Sequence, residues 1–304
     1  MENKLTSFCT GQEEALQKLI KDLVEKYQPE QIICFGRIQH SNHSSSCFFE
    51  PAESTSYHYF LLMITAESKR IEFNVQDFVN FRFADGKVTI LSHGKKTVEE
   101  AILKGSRFFT TVLSQGCILY SKDGFIQTYA ISEVDIVQTL EKARRQFERR
   151  FPLAKGFLNA AQETLATGHY SVAVFILHQV LEQSLATLIQ VYIAYRTDMH
   201  HLGRMLDLCG CFLSQTDTLF PRNTKEEQRL FTLLNNSYSG ARYKDNFTVS
   251  AGDVTLICEK VKECILAIEN LCMHQLVVFE AAVKARVGRN ILATDPVETE
   301  VHHG

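Results

Sequence analysis

Tyr170 to Tyr195 reads YSVAVFILHQVLEQSLATLIQVYIAY. Apolar residues fall on every side of a 3.6-residue spiral, so the run predicts a helix buried all round, the centre of a bundle. Only helical signals surround it. Ser132 to Thr167 reads as one long or broken helix, with Pro152 as a kink or break and Gly168 as its stop. Residues 200–213 give a shorter helix. Thr224 and Glu227 form a capping box opening a helix to about Tyr243, and Ser250 with Asp253 repeats the pattern before a helix reaching Arg286. Val254, Ile257, Val261, Ile265, Ile268 and Leu271 keep helical spacing there. Short loops between long helices predict antiparallel neighbours, an up-down bundle over residues 131–290. The unpatterned tail, residues 291–304, predicts a frayed end.

Residues 1–130 carry mixed signals. Gly11 to Tyr27 reads as a helix with Ala15, Leu16, Leu19, Ile20 and Leu23 on one face. Gln31 to Gly36 (QIICFG) reads as a short buried strand. Residues 37–56, rich in Ser, His and Asn, read as a long loop. Tyr57 to Thr65 (YHYFLLMIT) predicts a central strand. A helical stretch follows to about Phe81. The Asp85-Gly86 turn then leads into a strand at Lys87 to Ser92. Thr97 to Lys104 reads as a helix with a Thr97–Glu100 capping pair, Arg107 to Ser114 as another, and Cys117 to Ser121 as a last strand. The expectation is an α/β domain with at least four strands, then an all-α bundle, with a boundary near Phe125–Ser132.

The whole chain fits that plan. A length of 304 residues suits two domains, and 45% apolar with 22% charged residues is ordinary globular composition. A net charge of −3 argues against a protein that coats nucleic acid, though local basic patches survive the sum. No apolar run approaches the roughly 20 residues of a membrane helix, so no membrane partner is expected. The start, Met1-Glu2-Asn3-Lys4, has no apolar signal core. Nine cysteines, odd in number and scattered through helical runs, fit a reduced cytoplasm.

Residues 135–272 carry a set of short motifs in a fixed order. They are Ala154 to Leu158, Gly168-His169-Tyr170, Leu177-His178-Gln179 with Glu182, His201-Leu202, Phe220-Pro221, Leu230-Phe231 with Leu233-Leu234, and Tyr238 to Phe247 (YSGARYKDNF). This half resembles the HEPN domain (higher eukaryotes and prokaryotes nucleotide-binding). The resemblance implies a helical bundle that commonly dimerises and is often paired with a nucleotidyltransferase partner.

The first half resembles such a partner in degraded form. Ile33-Cys34-Phe35-Gly36 resembles the strand and glycine of the phosphate-gripping turn, with Arg37 in place of serine. Leu61-Leu62-Met63 resembles the run after the two metal-binding aspartates, and those positions hold His58 and Phe60. A phenyl ring cannot bind Mg²⁺, and neutral imidazole is a poor ligand for that hard ion. No cofactor is expected, and Mg²⁺ binding is in doubt. Gly36-Arg37 remains a candidate nucleotide contact, and Glu50 and Glu53 are candidate relocated metal ligands.

HEPN ribonucleases carry Arg, four to six residues, then His. Arg242 stands at the family's arginine position, but no His follows it in range. Arg196 and His201 match the spacing in the turn after the central helix, where His201 reads as part of a helix start. Arg242, Tyr243 and Lys244, beside Tyr238, form a polar cluster at a helix end, suited to a phosphate and a stacked base or to a structural ion pair. His178 and Glu182, at i and i+4, read as a hydrogen-bonded core pair or as two metal ligands. Lys142, Arg144, Arg145, Arg149 and Arg150 read as a solvated basic face or a nucleic-acid contact. Cys209-Gly210-Cys211 lacks zinc-site spacing. The expectation is a cytoplasmic homodimer, joined through the bundle, that binds a nucleotide or RNA without catalysis. An active transferase, a ribonuclease toxin and a protein-interaction scaffold are the alternatives.

Overall fold

The computed structural model describes residues 10–67, 71–122, 134–214 and 216–294. The chain folds as a mixed four-stranded sheet with helices, followed by a region of long helices. Gln31–Ser46 (β1) and Phe49–Thr65 (β2) form an antiparallel hairpin. Gly86–Gly94 (β3) runs parallel to β2, and Cys117–Ser121 (β4) pairs antiparallel to β1, giving the order β3-β2-β1-β4. Thr10–Tyr27 (α1), Glu72–Arg82 (α2), Lys95–Leu103 (α3) and Arg107–Gln115 (α4) complete this half.

The sheet is covered on both faces because β2 is apolar on both. Tyr57, Tyr59, Leu61 and Met63 pack with Leu16, Leu19 and Leu23 of α1 and with Val75 and Val79 of α2. On the opposite face, Leu62 and Ile64 join Ile33, Leu91, Phe108 and Phe109 in a core that continues into the helices. The two halves therefore share one continuous hydrophobic core.

The helical half comprises Ile136–Ala166 (α5), Tyr170–Ile193 (α6), Leu202–Cys209 (α7), Lys225–Tyr243 (α8) and Ala251–Thr294 (α9). As its composition requires, α6 is central and touches α5, α7, α8 and α9. Leu177, Leu181, Leu185 and Leu188 are buried along it, each worth about 1.5–3 kcal/mol relative to exposure. The Thr224–Glu227 capping box opens α8, and the Ser250 hydroxyl accepts from Asp253 N ahead of α9. Gly168, at φ +81°, ends α5 through bonds from its own N–H to Leu165 O and from His169 N to Thr164 O.

Several expectations need correction. Residues 37–56 are not a loop but the outer hairpin of β1 and β2, because a ladder of backbone hydrogen bonds does not require apolar side chains. Thr97 does not cap α3. The helix starts two residues earlier, after Gly94, and its N-terminus has no side-chain cap bond. Pro152 does not break α5, which runs unbroken with Phe151 and Ala154 buried beside the proline. Residues 291–294 are helical, not frayed. Tyr170–Ile193 and Ala251–Val287 are each long and apolar enough to cross a membrane by length and composition, against the expectation of no such run, although 72% of the α6 window is buried within the fold. The expected boundary at 125–132 and the tail beyond residue 294 lie outside the described residues.

Candidate functional site

The last turn of α8 sets the geometry. Arg242 Nε donates to the Tyr238 carbonyl one turn back, at 2.7 Å. The guanidinium therefore folds over its own helix, 4.0 Å from the Tyr238 ring centroid, 4.9 Å from Tyr243 and 5.7 Å from Phe175. Tyr238 in turn stacks on His200, with centroids 4.7 Å apart and planes at 13°. Tyr243 is 74% exposed, and Lys244 follows as the exposed C-cap of α8.

Beneath this layer, α6 contributes His178 and Glu182. His178 Nε2 lies 3.0 Å from the His200 carbonyl. A carbonyl only accepts, so Nε2 carries the proton and Nδ1 is an acceptor, facing Gln179 Nε2 at 3.2 Å. Burial pulls the His178 pKa down to about 4, so the ring is neutral at pH 7. Glu182 Oε1 lies 3.2 Å from His200 Nδ1, while its Oε2 is buried without a hydrogen-bond partner among the described residues. Burial raises the Glu182 carboxyl, and His200 opposes that rise. His178 thus serves as a structural donor to the 200–201 turn rather than as a metal ligand.

The His200 side chain is 48% exposed and borders a cavity of about 370 Å³ lined by Arg150, Glu182, Gln183, Arg196 and Asp198 among others. Arg150 Nη1 donates to Gln183 Oε1 at 3.3 Å, and burial together with nearby Arg196 and Arg149 lowers its pKa. One end of the bundle therefore gathers Arg150, Arg196, Arg242 and the His200 imidazole with two carboxylates, Glu182 and Asp198. Such a set can hold phosphate oxygens, stack a base, and move a proton at His200 Nε2, the nitrogen facing away from Glu182.

Of the residues singled out by sequence, Tyr238, Arg242 and Tyr243 come together with Lys244 beside them, but Gly36 and Arg37 do not join them. Gly36 is a mid-strand residue opposite Phe60, with Arg37 over the Tyr57 ring at 5.4 Å. A Cβ on Gly36 would lie 3.1 Å from the Phe60 ring, so the strand is closed there rather than open for a phosphate. His201 caps α7, its Nδ1 accepting from Arg204 N at 3.2 Å. His200 was missed. Adjacent histidines ahead of a helix were the available signal: one caps, leaving the other for a different task.

The positions that would hold Mg²⁺ do not fit it. His58 bonds Thr89 Oγ1 at 2.8 Å, and burial pulls its pKa down to about 3. Phe60 is fully buried, with Gly210 and Cys211 at the end of α7 closing over this part of the sheet. Glu53, five residues up β2, pairs with His43, about 17 Å along the strand from His58, and Glu50 is farther still. Among the described residues, no group of three or more His, Cys, Asp or Glu is placed to hold a metal ion.

Comparison with known proteins gives three results. No curated protein matches the chain. A nucleotidyltransferase-like protein from Exiguobacterium sibiricum 255-15 aligns structurally over 90% of this chain and 79% of its own, at 12% identity and a TM-score of 0.23. Residues 147–272 match the HEPN domain family, from the middle of α5 to the middle of α9. That stretch, which contains His178, Glu182, His200, Tyr238 and Arg242, is a HEPN domain.

Proposed function

We propose that the protein binds a nucleotide or an RNA phosphate through the α8 end of its HEPN domain. Arg242 and Lys244 meet phosphate oxygens, while Tyr238 and Tyr243 offer aromatic faces to a base. The first half serves as a nucleotidyltransferase-like domain without transferase chemistry, a pseudoenzyme in a regulatory or toxin–antitoxin/defence role. The assembly is a cytoplasmic homodimer joined through the bundle. One observation carries this reading. Arg242 is exposed and stacked on Tyr238, with no carboxylate within ion-pair distance among the described residues. A structural arginine would be expected to hold such a partner.

A thermal-shift screen of common nucleotides and short RNAs, run on wild type and Arg242→Ala, tests it. A ligand that raises the melting temperature of wild type but not of Arg242→Ala supports the reading. If no ligand stabilises wild type and Arg242→Ala only lowers its stability, the protein-interaction scaffold stands instead. Nucleotide transfer that depends on Glu50 or Glu53 would restore the active-transferase reading.

The His200–Glu182 pair favours a second reading, metal-free RNA cleavage. Glu182 would orient His200 to take a 2′-hydroxyl proton, and Arg242 would stabilise the phosphorane. RNA cleavage without divalent metal, lost in His200→Ala, would place the protein among the ribonucleases.

A further inference from the structure

The two halves also meet over a cavity of about 670 Å³ between the α3–α4 turn and the helices α5 and α6. Four cations line it: Lys104, Arg107, Lys142 and Arg196. Asp135, the carboxylate among the lining residues, is already engaged. It accepts from Val137 N at 3.0 Å and lies 3.6 Å from Arg286 Nη1. Among the described residues, Asp135 is the carboxylate that lines the cavity with these four cations. Arg107 Nη2 donates to the Val191 carbonyl at 3.0 Å, the guanidinium lies 5.1 Å from the Phe279 ring centroid, and burial lowers its pKa to about 10. Lys142 Nζ reaches the Gly105 carbonyl at 3.4 Å, and Lys104 pairs with Glu100 at 4.0 Å on an exposed surface. A cavity lined mainly by cations favours an anionic occupant.

A second observation is independent of charge. Gln190 lines the same cavity at 8% exposure, and its Oε1 has no hydrogen-bond donor among the described residues. A buried acceptor left unpaired is costly, and a ligand hydroxyl or amine would satisfy it. Ser106, also on the lining, caps α4 without a side-chain hydrogen bond, so the first-turn N–H groups of that helix are not satisfied by its cap.

We propose that this cavity binds a small polyphosphorylated metabolite, its phosphates among Lys104, Arg107, Lys142 and Arg196 and a hydroxyl or amine donating to Gln190. The site is separate from Arg242, although Arg196 borders both cavities.

Titration calorimetry on the full chain, with inorganic triphosphate, ATP and adenosine as probes, tests it. Triphosphate and ATP should bind, and adenosine should not. The Lys104→Glu/Lys142→Glu double variant changes two exposed side chains and should weaken both anions at least tenfold with melting intact. Gln190→Met should weaken ATP several-fold at this site while leaving triphosphate unchanged, and the binding event lost in the double lysine variant should persist in Arg242→Ala, which removes only the α8 site. The proposal fails if neither anion binds at millimolar concentration. It also fails if the double lysine variant binds like wild type, or if Arg242→Ala alone abolishes binding.

Discussion

The His200 imidazole lies flat on the Tyr238 ring, centroids 4.7 Å apart and planes at 13°, tying the turn after α6 to the last turns of α8. The Arg242 guanidinium sits 4.0 Å from the centroid of the same ring. Tyr238 therefore positions both groups through its ring. Tyr238→Ala should weaken binding of nucleotide or labelled RNA at least tenfold, and Tyr238→Phe should retain it, as read by fluorescence anisotropy. Equal losses in the two variants would show that the hydroxyl, not the ring, matters.

Acid should destabilise the fold through buried histidines. In the unfolded chain a histidine takes up its proton near pH 6.5, but burial lowers His178 to about 4 and His58 to about 3. Between those values the unfolded state binds more protons, so stability falls as pH drops from about 6.5 toward 4. The His178 share is about 3 kcal/mol. Glu182 acts in the opposite sense: its raised carboxyl favours the folded state at low pH and loses that contribution as pH rises. Urea denaturation across this range should show the fall, and a flat profile would contradict it.

Restoring a metal carboxylate at Phe60 should fail. The ring is fully buried beneath α7, so Phe60→Asp would place a carboxylate in an apolar core, and Phe60→Ala alone should cost about 3–5 kcal/mol. Circular dichroism melting of both variants checks this, and a well-folded Phe60→Asp that binds Mg²⁺ would overturn it.

Gly240 allows the 244–250 segment to close on α8. A Cβ there would lie 2.5 Å from Phe247 Cδ2, while Ser171 Oγ holds the Phe247 carbonyl at 3.1 Å. Gly240→Ala should destabilise by about 1–3 kcal/mol through overpacking. Gly156→Ala, in open space on α5, should instead stabilise by about 0.5–1 kcal/mol. Chemical denaturation midpoints moving in opposite directions would bear out both.

Leu266, Met273 and Val277 lie exposed along α9 at spacings of seven and four, which places them on one stripe. Light scattering at micromolar concentration should show a dimer, and Leu266→Glu with Val277→Glu should yield the monomer. A monomeric wild type would remove the dimer from the proposal.

The fold was legible in the sequence wherever periodicity met strong capping. The all-round apolar α6, the Thr224–Glu227 box and the strand YHYFLLMIT each carry their own structural instruction, because burial and capping depend on near neighbours. The outer hairpin was not legible, since its strands are held by cross-strand backbone bonds between residues whose side chains signal a loop. The site divided along the same line. Arg242, Tyr238 and Tyr243 share one helix, so spacing alone brings them together. His200, Glu182 and the cationic cavity depend on which helix α6 faces and on how the sheet half docks against it. Those distances are set by packing between elements remote in sequence, and only the tertiary structure decides them.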